Sequence, residues 1–179
     1  MIGLEESLAR YAAAHRDRRN IATHFVGIPL IVFSVVLAGA GIAIPLGPVQ
    51  ASAAALGALV AGAWWLRFDL RFGLVLAAVL FALCALASEI AARTSPEANL
   101  ALAGALFVIG WALQFWGHRF EGVKPAFLDD LRQLMVGPVF VVAEAAFFLG
   151  LREPLRRAIE SRVGPTVARR DGAPLAASR

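Results

Sequence analysis

Only one cysteine, one lysine, one tyrosine and three histidines occur among the 179 residues. A single thiol cannot close an internal disulfide, and without a Cys-x-x-Cys pair there is neither a thiolate zinc site nor a dithiol redox centre. Cys84 stands inside an apolar run and reads as a small packing residue. Charge is also scarce, at 17% of residues, while 59% are hydrophobic and the mean hydropathy is +0.70. Soluble domains are roughly 45–50% apolar. Here the excess falls in blocks long enough to cross a bilayer, which excludes a soluble α/β domain. The net charge of +4 comes from sixteen arginines and one lysine, Lys124. The arginines flank apolar blocks, so membrane topology explains them better than nucleic acid does, and no nucleic-acid partner is expected.

The pattern predicts an all-α integral membrane bundle: four transmembrane helices, an N-terminal amphipathic helix and a C-terminal re-entrant or interfacial helix. Residues 1–160 form one folded domain, and 161–179 are a basic tail expected to be disordered. In the segment 3–17, Leu4, Leu8, Tyr11 and His15 recur on one helical face. Arg16 to Asn20 break that helix, with Asn20 the expected N-cap of the next. Spans are expected at about 21–44, 49–66, 72–88 and 98–116, the first retained rather than cleaved as a signal. Pro45, Gly47 and Pro48 mark one turn, and Arg67, Asp69 and Arg71 another. A fifth apolar block, 134–151, is interrupted by Gly137-Pro138 and contains Glu144, so it suits a re-entrant element. Arg10, Arg16, Arg18 and Arg19 place the N-terminus in the cytoplasm. Arg152, Arg156, Arg157, Arg162, Arg169 and Arg170 ask the same of the C-terminus, which favours four spans over five. Trp64, Trp65 and Trp116 then fall near one interface. The arginine-rich, lysine-poor composition suggests a GC-rich bacterial genome and an inner membrane; a eukaryotic relative would sit in the endoplasmic reticulum.

With that topology His15, His24 and His118 all lie at the cytoplasmic ends of helices. In one unbroken helix His15 and His24, nine apart, would be opposed by about 180°; the break between them lets the first helix fold back. His118 and Glu121 share a face at i, i+3 if the last span continues one more turn. Glu144, ionisable within an apolar stretch, is either a site residue or the partner of an arginine in the bundle. Each histidine taken alone is more often an ordinary interfacial residue than a site residue. Together, neutral imidazoles beside carboxylates suit a divalent transition metal, iron or zinc. Asp69, Asp129 and Asp130 read as solvated turn charges, and Gly39, Gly41, Gly57 and Gly104 as helix-packing positions.

Two segments carry a family resemblance. Tyr11-x3-His15-x4-Asn20-x3-His24-x4-Pro29 and Gln114-x2-Gly117-His118-x2-Glu121-x3-Pro125-Ala126 resemble the signature regions of the yeast-type 2-hydroxy fatty acid dioxygenases, and Pro138-x-Phe140-x3-Glu144 resembles their C-terminal region. The similarity runs from about Tyr11 to Gly150. It implies an iron(II) enzyme of fatty acid α-oxidation that uses O2 to remove one carbon from a 2-hydroxy fatty acid held in membrane lipid. His15, His24 and His118 are the implied metal ligands. Glu121 and Glu144 are implied as catalytic, either orienting imidazole N–H groups or adding ligands. Tyr11, Asn20 and Gln114 would hydrogen-bond substrate or oxygen, and Arg119 or Lys124 would meet the carboxylate unless it serves topology alone. The competing readings are a zinc-dependent membrane hydrolase built on the same residues, a haem protein with histidine axial ligands, and a non-enzymatic helical scaffold or transporter. The last lacks the internal repeat that transporters usually show.

Overall fold

A computed structural model describes residues 3–123 and 130–167. Seven helices and one hairpin make up the described chain: α1 (Leu4–Ala13), α2 (Arg18–Ala40), β1 (Ala43–Leu46), β2 (Val49–Ser52), α3 (Ala53–Phe68), α4 (Leu70–Arg93), α5 (Pro96–Glu121), α6 (Gln133–Phe148) and α7 (Glu153–Val163). The chain divides into two compact units, Met1–Gly27 with Ala112–Arg179, and Ile28–Trp111.

In the second unit, the turn expected before the second span is larger than the sequence pattern implied. Val49–Ser52 pairs antiparallel with Ala43–Leu46, Ile44 opposite Ala51, about a turn at Gly47 (φ 65°). Pro48 cannot continue either element, so the apolar residues after it are drawn into a strand. Ser52 then caps α3, its hydroxyl accepting from Ala55 N–H at 3.1 Å. The helix that remains has 16 residues, about 24 Å of rise against a hydrocarbon core of about 30 Å. Three described helices, α2, α4 and α5, are long and apolar enough to cross a membrane, and four if the bent pair α6–α7 counts as one span. The surfaces of α3, α4 and α5 fit lipid: Leu59 and Val60, Phe81, and Leu100 are all largely exposed, side chains that water would penalise and hydrocarbon does not. Trp65 is buried in the unit rather than exposed to an interface.

Asp69 both ends α3 and caps α4, accepting from Phe72 N–H at 2.9 Å. With a one-residue connection the two helices cross closely. A methyl group on Gly73 would stand 2.6 Å from the Trp65 carbonyl oxygen and 2.7 Å from Leu66 backbone atoms.

In the first unit, α1 packs on α6 and α7, burying Leu8, Tyr11 and Ala12. It is shorter than the expected 3–17, because the chain leaves the helix after Ala13. The N-cap of α2 is Asp17, not Asn20: the Asp17 carboxylate accepts from Arg19 N–H at 2.8 Å and from the Arg19 guanidinium at 2.9 Å. An aspartate at the N-cap satisfies an orphan amide and suits the helix dipole, so the helix begins three residues earlier than expected, at Arg18, and Asn20 is free for another use. Helix α6 closes at Gly150 (φ 71°), where Leu151 N–H returns to the Ala146 carbonyl at 2.8 Å. The chain then bends by 112° into α7. Residues 161–163 continue α7, and Val167 pairs with the α1–α2 junction through Val167 N–H to Arg16 C=O (2.8 Å) and Arg18 N–H to Val167 C=O (3.1 Å). Backbone hydrogen bonds thus hold Val167 against the α1–α2 junction. Residues 168–179, with Arg169 and Arg170, and the segment holding Lys124 and Asp129 lie outside the described residues.

Gly73→Ala should lower the thermal midpoint of the detergent-solubilised protein, since overpacking against rigid backbone costs about 1–3 kcal/mol. Gly57→Ala, which meets nothing within 4 Å, should leave the midpoint unchanged or raise it; equal behaviour of the two variants would contradict the close α3–α4 crossing.

Candidate metal centre

Three chain elements of the first unit converge on one buried spot. His15 sits in the α1–α2 junction, His24 in the second turn of α2, and His118 in the last turn of α5; all three are at most 7% exposed. One ligand atom from each lies within 4.8 Å of the others, and no other such group of histidine, cysteine or carboxylate side chains occurs among the described residues.

The hydrogen bonds determine which atoms are presented. His15 Nδ1 lies 2.6 Å from the Tyr11 carbonyl oxygen and His24 Nδ1 lies 2.9 Å from that of Asn20. A carbonyl oxygen only accepts, so both Nδ1 atoms carry the proton and both Nε2 atoms carry a lone pair. Those two Nε2 atoms are 2.9 Å apart. Lone pairs at that distance repel unless a proton or a cation lies between them. Burial, followed by the influence of His24, holds the His15 imidazole well below its ordinary 6.5 and so disfavours the proton. A cation would relieve the repulsion: two ligands at right angles on an ion about 2.1 Å away stand about 3 Å apart. The third imidazole, His118, brings one ring nitrogen within 4.8 Å of a ligand atom on each of the other two. The donor set thus fits a divalent transition metal, with His15, His24 and His118 as the residues that would hold it.

Around the imidazoles the packing is aromatic. Tyr11 stacks on His15 with ring centres 4.2 Å apart and planes 8° from parallel, and Phe140 of α6 closes on both rings at 4.8 and 5.3 Å. Burial pushes the Tyr11 hydroxyl pKa up, so it stays protonated. Gly117, one residue before His118, lets α5 approach α2; a side chain there would collide with Thr23 and Asn20.

Neither carboxylate expected at the site supplies an atom to the group of three imidazoles, although the Glu121 charge acts on His118. Glu121, 2% exposed, accepts from Arg16 N–H at 3.0 Å, from Asp17 N–H at 2.8 Å and from Asn20 Nδ2 at 3.2 Å. It therefore ties α5 to the junction that carries His15. Glu144 pairs with the buried Arg16 at 3.6 Å, the bundle-arginine arrangement weighed as its alternative. Asn20 spends its amide on Ala14 C=O and Glu121, and its Oδ1 is buried with no hydrogen-bond partner among the described residues. Gln114, one turn before His118 on the same face, is buried, its Nε2 without a hydrogen-bond partner among the described residues. Arg119 is exposed, turned from the side on which His118 is buried. Sequence reasoning missed Asp17 and Arg16 as structural residues. An aspartate just before a helical apolar run is a start signal that could have found the first; nothing marked Arg16, whose guanidinium binds Ala12, His15 and Gly164 carbonyls.

Fold and centre together define a mostly helical protein with membrane-length apolar helices and a buried trio of imidazoles placed to hold a metal ion. Its sequence matches the family described as 2-hydroxy-palmitic acid dioxygenase Mpo1-like over residues 1–149, and the chain belongs to that family. The 2-hydroxy-palmitic acid dioxygenase MPO1 of Saccharomyces cerevisiae is 32% identical over 163 residues, covering 89% of each chain. No solved structure matches.

Glu121→Ala should abolish or strongly reduce metal binding by releasing two junction amides, while the protein still inserts in membranes. Glu121→Gln, keeping one acceptor, should retain part of the binding. Full metal content in the alanine variant would show that the junction holds itself.

Proposed function

We propose that the chain is an iron(II)-dependent dioxygenase that removes one carbon from 2-hydroxy fatty acids, the step of fatty acid α-oxidation. The observation that carries this reading is the pair of carbonyl-bound imidazoles whose Nε2 atoms face each other beside His118, in a chain related to a 2-hydroxy-palmitic acid dioxygenase. The overall chemistry balances without an external reductant. Carbon 2 of the hydroxy acid becomes the carboxyl carbon of the shortened acid and carbon 1 leaves as CO2. Four electrons are lost, and O2 takes up four, its second product being water. A bound iron(II) would supply the open positions at which a hydroxy carboxylate and O2 meet.

The chain's own residues hold the reaction together. Tyr11 and Phe140 wall off the His15 ring from water, and the carbonyls of Tyr11 and Asn20 fix the imidazole tautomers. Gln114 offers a buried amide N–H to the substrate or to oxygen, and the Asn20 Oδ1 offers an acceptor for the substrate's hydroxyl. Glu121 acts as a positioning residue, setting the junction rather than moving a proton. Glu144 keeps Arg16 neutralised beside the site. Arg119 adds positive charge to the cytoplasmic face. We assign α2 to α5 as four spans, α1 as an amphipathic helix lying along that face and both termini to the cytoplasm, in an inner membrane for a bacterial chain and the endoplasmic reticulum for a eukaryotic one.

Elemental analysis of detergent-purified protein, prepared with iron supplied anaerobically, should find close to one iron per chain in the wild type and a loss of most of it in His118→Ala. The loaded protein should consume O2 only with a 2-hydroxy fatty acid and release the acid one carbon shorter with CO2. Zinc in place of iron, with no O2 uptake, would move the assignment to a hydrolase. For topology, a cysteine at Arg67 in a Cys84→Ala background should react with a membrane-impermeant thiol reagent only after the membrane is opened to the cytoplasmic side. A cysteine at Ser95 should react from the opposite side, and identical sidedness of the two would contradict the assignment.

A further inference from the structure

Beside the imidazole centre, and not part of it, the first unit has an apolar groove of about 650 Å³. One wall is a stripe of α2, Arg18, Ile21 and Phe25, spaced to lie on one helical face. The other is the end of α6, with Glu144, Ala145, Phe148 and Leu149, and Thr166 of the docked C-terminal segment closes one end. The volume lies within the range of ligand cavities. No histidine lines it: His24 stands about 100° round α2 from Phe25, facing the neighbouring side. The groove therefore adjoins the reaction centre without opening on an imidazole.

Its charges are unequal. The Arg18 guanidinium is exposed and has no hydrogen-bond or ion-pair partner among the described residues; only its backbone N–H is used, by Val167. Glu144 on the facing wall already pairs with Arg16. The mouth thus carries one uncompensated positive charge above walls of Ile21, Phe25, Ala145, Phe148 and Leu149. That combination complements a monoanion with a single apolar chain. A planar guanidinium matches a carboxylate in particular, and the glutamate opposite disfavours a headgroup of higher negative charge.

We propose that this groove binds the acyl chain of a long-chain fatty carboxylate, with Arg18 on its carboxylate, as a holding site from which the substrate enters, or into which the shortened acid leaves, the adjoining imidazole centre. The assignment deepens the function proposed above and takes its occupant class from that reading. Arg18 is a binding residue here, Ala145 sets the clearance between the two walls, and Phe25 and Phe148 flank the chain.

The test uses full-length protein in detergent and a 16-carbon 2-hydroxy acid bearing a diazirine at its far end. After photolysis, labelled peptides are located by mass spectrometry, with metal content and thermal midpoint measured in parallel. Label is expected on the peptides carrying Phe25 and Phe148–Leu149, displaced by unlabelled 2-hydroxypalmitate. Ala145→Trp, which fills the groove, should remove most of it. Arg18→Gln should weaken apparent affinity by about tenfold, the equivalent of one charge-assisted hydrogen bond. If the tryptophan variant has a lowered midpoint, the exposed Arg18 position decides the matter by itself. Label confined to other helices, label indifferent to both substitutions, or displacement by phosphatidylglycerol vesicles and not by the free acid would each overturn the groove assignment. His118→Ala separates the two readings: it should lose metal and turnover yet keep the label. Wild-type protein that labels in the groove but never consumes O2 would sink the dioxygenase and leave the groove; turnover without groove label would do the reverse.

Discussion

Both oxygens of one buried carboxylate, Glu121, are spent on the Arg16 and Asp17 amides, and one of them also receives the Asn20 side chain. The rest of the centre depends on that contact. His15 has no helix to hold it, since α1 ends at Ala13 and α2 starts at Arg18. A junction of four residues with buried amides must find acceptors or lose the stability of its neighbours. The acceptor comes from α5, the helix that carries His118 three residues earlier. Placing His15 and placing His118 are therefore one event. Gly117 supports it sterically, allowing α5 close enough for the carboxylate to reach.

A second constraint acts within the imidazoles. Each of the two histidines at the junction gives its Nδ1 proton to the carbonyl four residues before it, Tyr11 for His15 and Asn20 for His24. The same i, i−4 relation that builds helices thus orients the two imidazoles, and their Nε2 atoms are left as acceptors that face each other with no donor among the described residues. In a buried site that arrangement is costly on its own and becomes favourable with a cation. Tyr11 serves twice, by its carbonyl and by stacking its ring on the imidazole it orients.

The membrane setting is written on the other unit by exposure rather than by contact. Leu59, Val60 and Phe81 face outward because hydrocarbon is their solvent, whereas two buried polar side chains there donate to backbone carbonyls: Asn99 to that of Leu37 at 2.9 Å and the Ser34 hydroxyl to that of Ile31 at 2.7 Å. Polar chemistry is kept to the junction, where α1, α6 and α7 cover it, and where the docked segment at Val167 pairs with the backbone of the histidine junction itself.

Composition and periodicity were enough to read a helical membrane protein, the break before α2 and the three histidines as one set, because hydropathy and side-chain spacing act over a few residues and survive without a fold. The resemblance at Tyr11, His15, Asn20, His24, Gln114, His118 and Glu121 added the family. The short α3 and its hairpin escaped because an apolar run beside Pro48 reads the same as strand or span until its pairing partner is known. Asp17 as the cap, Glu121 as the clamp of the junction and Glu144 as the partner of Arg16 were decided by tertiary structure alone. Each depends on groups brought together from distant parts of the chain, Glu121 reaching 105 residues back to the Arg16 amide. A carboxylate's role follows from which donors surround it in space, and no local pattern in the sequence encodes that.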